Sequence, residues 1–488
     1  MSTTRVERLG RLAAETHDLL ILGGGINGAG IVRDLALRAR VAQHRLKLAL
    51  IDKGHFASGT SGKNSQLIHG GLRYLKYMEF RLVREALQER STLLEIAPHL
   101  VEPLPFLIPM YSYFAKVFYG TGLWMYDTLA GQRNISKHRA IPLDEVKRLE
   151  PGLKTDDLVS AAIFYDGRVH SARFVLENLR EAEDNGAVLA NYVRATAFRR
   201  ESDGWTVEAV DALTGTSFAI RARQLINTTG PWAGESFPAE NKLRLVRGSH
   251  LIVPRLNRSD NAIAYFEQDG RIIFFIPWGS RGDLTLIGTT DVDHDGSPDD
   301  VHISAAETEY LMGIAHDLFP ESRRMQPVAS YSSLRPLVRD DSGSATANSR
   351  EHRIWRGDDG VVHVSGGKYT TYRVMSEEAA DLALETLAPE LMPVHETARH
   401  ALNGNTRARI SELLGTARDA QERHIVKDYG VRAPALFERA HTLGSLEAAQ
   451  IEEARTREWV ERRRDLLEVS TYWGHEGRQV ALPADLPW

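Results

Sequence analysis

Three glycines near the start of the chain, Gly23, Gly25 and Gly28, have the G-x-G-x-x-G spacing that can hold a dinucleotide. The first glycine allows a tight turn, the second lets the backbone approach a pyrophosphate, and the third lets a helix pack closely on a strand. Free N–H groups at the start of that helix favour an anion. Asp52, which follows the next apolar run, offers a carboxylate to a ribose hydroxyl. These residue types at this spacing predict dinucleotide binding.

The segments around these glycines have the order of elements that the motif requires. Asp18–Leu22 is a short apolar run typical of a buried parallel strand, and Leu46–Ile51 is a second one. Between them, Ile31–Leu37 keeps helical periodicity. The alternative is a glycine-rich turn in an ordinary α/β protein, and the motif alone does not separate FAD from NAD.

Two later segments favour FAD. Leu225–Gly234 (LINTTGPWAG) reads as a strand whose Thr-Gly end can run its backbone past a cofactor. Val364–Arg373 (VSGGKYTTYR) reads as a strand, a glycine pair and the start of a helix. The N-terminus of that helix can face the flavin pyrimidine oxygens and stabilise negative charge on the reduced ring.

A series of motifs along the chain comprises GGGINGAG (Gly23–Gly30), SQLIHGGLRYL (Ser65–Leu75), YMEFRLVREAL (Tyr77–Leu87), APHL (Ala97–Leu100), MYD (Met125–Asp127), NTTGPW (Asn227–Trp232), RGSHLIVPR (Arg247–Arg255), IPW (Ile276–Trp278), IGTTD (Ile287–Asp291), LRPL (Leu334–Leu337) and GGKYTTYR (Gly366–Arg373). In this order they closely resemble the FAD-dependent (aerobic, quinone-linked) glycerol-3-phosphate dehydrogenases, over residues 17–390. That family lies within the D-amino-acid-oxidase-like flavoprotein fold. The resemblance implies metal-independent oxidation of sn-glycerol 3-phosphate to dihydroxyacetone phosphate, with electrons passing through FAD to a quinone.

The resemblance also implies which residues hold the substrate and the cofactor. The expected substrate contacts are Arg73, Tyr74, Thr290, Arg335, Arg350 and Lys368. Arg forks and a Lys charge suit a phosphate dianion. The expected cofactor contacts are Gly23, Gly25, Asn27, Gly28, Asp52, Thr60, Ser61, Ser65, Leu67, His69, Gly70, Val193, Thr229, Gly230, Gly367, Lys368 and Thr370.

Such an oxidation also needs a base. A hydride leaves C2 of the substrate for flavin N5, and the C2 hydroxyl loses a proton. The sequence offers His69, in the IHGG turn, and His250, at the start of a strand, and a purely structural histidine is the alternative for each. We favour His250, since the substrate domain should supply a group that faces the flavin. Arg335 completes the expected catalytic set.

Composition narrows the class of protein. The chain has 488 residues, of which 42% are hydrophobic and 26% charged, as in a soluble globular protein of two or three domains. A net charge of −5 gives no basic field for nucleic acid. The absence of cysteine excludes disulfides, thiolate metal sites and a cysteinyl flavin. Without a signal peptide or a long apolar run, we expect a cytoplasmic protein that can still contact the inner face of the cell membrane.

We predict an α/β fold, α+β in its insert: an FAD-binding Rossmann-like domain of the D-amino-acid-oxidase-like type, a β-rich substrate domain and a C-terminal helical module. The predicted boundaries are 17–103, 167–245 and 335–390 for the FAD-binding domain, 104–166 and 246–334 for the substrate or cap domain, and 391–488 for the helical module. Residues 1–16 are expected to form a frayed arm.

Two regions leave alternatives open. Leu104–Ala130, rich in aromatic residues and Met, is either a helix pair in the core or cap, or an interfacial segment on a membrane. Arg462–Gly474 (RRRDLLEVSTYWG) lacks the short basic motif expected late in the family's C-terminal module. The quinone, the membrane surface and a homodimer therefore stay open as partners. The competing functions are a soluble flavin oxidase that uses O₂, on glycerol 3-phosphate or an amine, and a non-enzymatic redox sensor.

Overall fold

The structure is a computed structural model that describes residues 4–238, 243–267, 270–338, 352–484 and 486–487. The strands in this part of the chain are β1 (Thr16–Leu22), β2 (Leu48–Ile51), β3 (Leu67–Ile68), β4 (Val101–Met110), β5 (Arg139–Ile141), β6 (Ser160–Val169), β7 (Val188–Ala190), β8 (Val193–Glu201), β9 (Gly204–Asp211), β10 (Ser217–Asn227), β11 (Leu243–Pro254), β12 (Ala262–Phe266), β13 (Ile272–Trp278), β14 (Leu284–Gly288), β15 (Val292–Asp293), β16 (Ala329–Val338), β17 (His352–Arg356) and β18 (Val362–Gly366).

The helices in the same ranges are α1 (Arg5–Ala14), α2 (Ile26–Val41), α3 (Phe80–Ile96), α4 (Tyr113–Ala130), α5 (Leu143–Leu149), α6 (Ser171–Asp184), α7 (Ala233–Ser236), α8 (Ala305–Leu318), α9 (Tyr372–Leu387), α10 (Arg407–Thr416), α11 (Ala420–Tyr429), α12 (Ala433–Leu443), α13 (Leu446–Arg457) and α14 (Arg463–Asp465). None of these helices is both long enough and apolar enough to cross a membrane.

The first sheet carries the glycine motif. Its strands follow the order β17-β18-β10-β1-β2-β7, and β18, β10, β1, β2 and β7 run parallel. Strand β9 pairs with β10 and β8 with β9, both antiparallel. Leu19, Leu20 and Ile21 of β1 are fully buried, as expected for a strand covered on both faces. Helix α2 packs against α6 and α9. The predicted strand–helix–strand unit is confirmed.

The second sheet forms the β-rich part of the molecule. Its main path is β15-β11-β14-β13-β12-β4-β6-β3, with β16 paired to β11 and β5 to β6. The β-rich character predicted for the substrate domain is confirmed. Strand β3, which the sequence assigned to the FAD-binding domain, joins this second sheet. The division into three domains stays a prediction.

The N-terminal arm is not frayed, so that expectation was wrong. Thr4 and Glu7 form a reciprocal capping box that starts α1. Arg5 then pairs with Asp211 at 2.7 Å, and Arg8 pairs with Glu183 at 2.8 Å. The Thr-x-x-Glu spacing was visible in the sequence, but these ion pairs join residues far apart in the chain.

Of the two alternatives for Leu104–Ala130, the helix pair was wrong. Its first part, through Met110, lies in β4, which pairs along its whole length with β6. A short apolar run does not by itself distinguish a buried strand from a helix. The remainder, from Tyr113, is the single helix α4, which continues through Gly120 and Gly122. Large apolar side chains on one face of α4 are exposed.

The C-terminal region is helical, as predicted, and it packs on the first sheet's helices through buried charges. Arg173 of α6 pairs with Glu458 at 2.5 Å, and both side chains are fully buried. Arg432 pairs with Glu177 of α6 and with Glu453 of α13. Breaking a buried pair of this kind leaves a charge without compensation, so these pairs fix how the helical module sits.

Candidate active site

A cavity of about 1100 Å³ lies where the two sheets meet. This is slightly above the usual volume of small-molecule and cofactor sites, roughly 300–1,000 Å³. Most of the predicted site residues line it, namely Gly23, Gly25, Asn27, Asp52, Thr60, Ser61, Ser65, Leu67, His69, Arg73, Tyr74, Val193, Thr229, Gly230, Arg335, Gly367 and Lys368. The cavity thus brings together residues from both ends of the sequence.

The glycine motif shapes one wall of the cavity. Gly23 has φ +102°, and a Cβ there would lie 2.7 Å from the carbonyl oxygen of Thr228. A Cβ on Gly28 would meet the Gly23 oxygen, so Gly28 serves the close packing of α2 rather than the cavity itself. Gly25 begins α2 and faces the cavity, where a Cβ would approach only Ser61 Oγ, at 3.0 Å. Backbone therefore lines the wall where a pyrophosphate can approach.

Asp52 lies at the end of this wall. One carboxylate oxygen accepts from the Gly24 N–H at 2.7 Å and the other from the Gly54 N–H at 2.8 Å. Burial raises the pKa of Asp52, and these two N–H groups oppose that shift. Each oxygen keeps a further lone pair for a ribose hydroxyl. The N–H groups at the start of α2, the glycine backbone and the Asp52 carboxylate together fit the adenosine diphosphate half of FAD.

The turn at His69–Gly71 carries two of the predicted cofactor contacts, His69 and Gly70. The Gly70 N–H donates to Tyr126 Oη at 2.8 Å and lies 3.3 Å from Asp166 Oδ1. Thr370 Oγ1 lies 3.2 Å from the backbone nitrogen of His69 and 3.3 Å from its carbonyl oxygen. The turn is thereby fixed to the segment that follows β18. Gly70 and Thr370 hold the turn, whereas His69 itself lines the cavity.

Cations converge beside this turn. The Lys368 amine lies 3.9 Å from the centre of the Tyr74 ring, and the Arg73 guanidinium lies 5.7 Å from the same centre. Arg335 lines the same cavity, where it pairs with Asp291 at 2.5 Å and donates to the Thr290 carbonyl at 3.0 Å. Positive charge and hydrogen-bond donors of this kind suit a phosphate group. Arg350 lies outside the described residues.

The position of His250 in the structure does not suit the role of base that the sequence favoured for it. His250 is 2% exposed and lies behind the cavity wall, where its Nε2 is 2.8 Å from Oγ of Ser65, a residue that lines the cavity. Burial, and more weakly the charge of Arg335, lowers the pKa of His250 to about 3. His250 therefore supports Ser65, and of the two candidate bases His69 is the one that lines the cavity.

Thr290 is likewise displaced from its expected role as a substrate contact. Its hydroxyl donates to Glu307 at 2.7 Å and accepts from the Ser249 N–H at 3.0 Å. The side chain is buried, so only its carbonyl acts on the site, by accepting from Arg335.

The sequence did not identify a buried group that holds the His69–Gly71 turn. Asp166 accepts from Tyr126 Oη at 2.8 Å and from Arg90 at 2.6 Å. Burial raises the pKa of Asp166, and the Arg90 charge opposes this. Tyr126 stood in the MYD motif, which gave a position but no role.

Known proteins with similar sequences and structures are FAD-dependent oxidoreductases. The family of FAD-dependent oxidoreductases matches residues 18–382. The aerobic glycerol-3-phosphate dehydrogenase of Escherichia coli (strain K12) is 34% identical over 93% of each chain. The D-erythritol 1-phosphate dehydrogenase of Brucella abortus (strain 2308) is 37% identical over 74% of this chain and 72% of its own. The structure of the glycerol-3-phosphate dehydrogenase from Bacillus halodurans complexed with FAD covers 96% of this chain and 88% of its own, with a TM-score of 0.75 and 26% identity.

Gly25→Val should abolish retention of FAD while the chain still folds. The added side chain would enter the cavity where backbone must meet the pyrophosphate, and no backbone atom blocks it. The measurement is FAD content per folded chain by absorbance, with circular dichroism as the test of folding. Gly10→Val, at an exposed glycine of α1 with open space around it, is the matched control. A Gly25→Val protein with stoichiometric FAD would contradict the proposed cofactor wall.

His250 should make stability depend on pH in a defined direction. In the folded protein its pKa is about 3, whereas in the unfolded chain it is near the ordinary value of about 6.5. Its contribution to stability is therefore complete above about pH 6.5 and is lost as the pH falls toward 3. We expect His250→Gln to reduce the pH dependence of the free energy of unfolding by up to about 1.4 kcal/mol per pH unit in this range.

The measurement for His250→Gln is denaturant unfolding between about pH 5 and 6.5, below the ordinary histidine pKa. His302→Gln, at a side chain that is 84% exposed, is the control. An unchanged pH slope in His250→Gln would mean that this histidine titrates normally in the folded protein.

Proposed function

The chain belongs to the FAD-dependent oxidoreductases and, within them, to the family of the glycerol-3-phosphate dehydrogenases, and we propose that it oxidises sn-glycerol 3-phosphate to dihydroxyacetone phosphate and passes the electrons to a quinone. The observation that carries this proposal is the convergence of Arg73 and Lys368 on the Tyr74 ring, beside the turn that bears His69. A phosphate dianion in that place would direct the neighbouring carbon toward the predicted flavin contacts.

The chain's own residues have distinct parts in this reaction. Bound FAD would accept the hydride from the carbon that is oxidised. Arg73 and Lys368 bind the phosphate, and Arg335 adds a third positive charge that Asp291 holds in position. His69 takes the proton of the C2 hydroxyl. Binding energy from the phosphate orients C2, which remote substrate contacts commonly do in enzymes.

The proposed electron acceptor is a quinone, and the surface of α4 supports contact with the membrane that would hold it. Tyr113 and Phe114 are each 77% exposed, Val117 is 69% exposed and Trp124 is 63% exposed. A contiguous exposed patch of this composition commonly marks an interaction surface, and Trp and Tyr favour the membrane interface. We propose a peripheral position on the inner face of the cell membrane. The homodimer stays a prediction.

A second substrate follows from the relative that acts on D-erythritol 1-phosphate, which is also a phosphorylated polyol. The functional test is anaerobic reduction of the flavin, followed by its absorbance, with glycerol 3-phosphate, D-erythritol 1-phosphate, glycerol and an amino acid. Fastest reduction by glycerol 3-phosphate supports the proposal. Fastest reduction by D-erythritol 1-phosphate would reassign the substrate, and reduction only by an amino acid would refute the phosphate site. Oxygen uptake with and without a quinone analogue then separates a dehydrogenase from an oxidase.

Lys368→Met should lower kcat/KM for glycerol 3-phosphate by roughly ten- to a hundredfold, because one charge-assisted phosphate contact is worth about 1.5–3 kcal/mol. The slow oxidation of glycerol should change little, since glycerol has no phosphate. Steady-state kinetics on both substrates gives the ratio. Lys76→Met, at an exposed lysine near the same turn, is the matched control. An equal loss on both substrates would show that Lys368 does not bind the phosphate.

Phe114→Glu combined with Trp124→Glu should weaken binding to lipid vesicles and leave FAD bound, because both side chains point away from the protein. Sedimentation with anionic and neutral vesicles measures binding, and flavin absorbance measures the cofactor. Val6→Glu, at an 80% exposed residue of α1, is the control. If the wild-type protein never sediments with vesicles, α4 has no membrane role.

A further inference from the structure

The C-terminal helical module supplies part of the wall of the FAD cavity. The residues of this module that line the cavity are Arg464, Asp465, Glu468 and Val469. They belong to the stretch in which the chain departs from the expected basic motif. The glycine motif does not account for them, and the reaction proposed above does not use them.

These residues lie at the nucleotide end of the cavity. Val193 donates its N–H to the Asp52 carbonyl at 2.8 Å, and Tyr192 donates its N–H to the Gly54 carbonyl at 3.1 Å. The Tyr192 hydroxyl then donates to Asp465 Oδ1 at 2.5 Å. Since Asp52 ends the wall that suits the ribose, Asp465 and the adjoining Arg464 border the adenosine half of the site.

The module also holds the loop that follows Asp52. His55 Nε2 lies 3.1 Å from the carbonyl oxygen of Glu458, and the rings of Phe56 and Trp459 meet edge to face at 5.2 Å. Tyr472 donates its hydroxyl to the Gly62 carbonyl at 2.9 Å. That loop carries Ser61, whose Oγ accepts from the Ile26 N–H at the start of α2. The wall that would meet the pyrophosphate thus rests on the module.

Among the four cavity-lining residues of the module, Arg464 is the one whose positive charge suits a nucleotide diphosphate. Asp465 also accepts from the N–H groups of Glu461 and Arg462 at 3.0 and 2.9 Å, so its negative charge is offset by backbone donors as well as by Tyr192. Glu468 pairs with Lys63 at 3.3 Å. The positive charge that this segment adds to the cavity is Arg464, whose exposed side chain lines the cavity and interacts there with the Tyr192 hydroxyl and with the charges of Asp465 and Glu468.

We propose that the C-terminal module is a structural part of the FAD site, in which the Arg464–Val469 segment covers the adenosine diphosphate half and Arg464 presents its charge to the diphosphate. This inference rests on FAD as the cofactor and not on the identity of the substrate. Because the same segment lines the site and packs on the loop beneath it, FAD binding and docking of the module stabilise each other.

The first test measures FAD binding to the full-length apoprotein by flavin fluorescence. Arg464→Ala should raise the FAD dissociation constant about tenfold, and Arg464→Lys should restore most of the affinity because it keeps the charge. The melting temperature of the Arg464→Ala apoprotein should stay close to that of the wild-type apoprotein, since the side chain is exposed and the Tyr192 hydroxyl keeps its hydrogen bond to Asp465. Arg457→Ala, at an exposed arginine of α13 in the same module, should leave the dissociation constant unchanged.

The second test uses the wild-type protein alone and does not depend on how a variant folds. Hydrogen–deuterium exchange should show that FAD slows exchange in residues 462–470 as well as in the glycine motif. The proposal is overturned if FAD protects the glycine motif but not this segment. It is also overturned if Arg464→Ala leaves the dissociation constant unchanged, or weakens binding only in step with a loss of apoprotein stability.

Discussion

The buried carboxylate of Asp166 is the interaction on which the geometry of the candidate site depends. It is 3% exposed, and it accepts from Arg90 of α3, Tyr126 of α4 and the Gly70 N–H. A buried carboxylate is stable only when charges and hydrogen-bond donors surround it. Each donor is therefore held in place by the need to satisfy Asp166, and the turn that carries His69 is held with them. The position of the proposed base is therefore set by a buried carboxylate that the sequence did not identify.

The local features of the fold could be predicted from the sequence, because they depend on neighbours in the chain. The unit of β1, α2 and β2 follows from apolar runs and glycine spacing, and the structure confirms it. The placement of His250 could not be predicted in the same way. Its position in β11 was readable, but the direction of its side chain depends on β14 and β16, which pack beside it. A strand presents alternate residues to opposite faces, and only the sheet decides which face is the cavity.

The buried ion pairs of the C-terminal module also could not be predicted from local sequence. Arg and Glu at high density usually indicate a solvated helical surface, yet Arg173 and Glu458 meet at 2.5 Å with both side chains fully buried. The two residues are far apart in the chain, so no local pattern pairs them. Desolvation of two charges is expensive, and such a pair adds more to the uniqueness of the docked arrangement than to net stability. This arrangement is what places Asp465 against Tyr192 at the cavity.

Helix α4 joins the proposed membrane surface to the active-site turn. Its exposed face presents Phe114 and Trp124, while Tyr126, which is 1% exposed, reaches inward to the Gly70 N–H and to Asp166. The two faces belong to one continuous helix, so a force that tilts or shifts the outer face also moves the Tyr126 hydroxyl. Because Asp166 needs that hydroxyl as a donor, the inner face resists such movement. The proposed membrane contact through α4 is therefore linked to the His69–Gly71 turn through Tyr126 and Asp166.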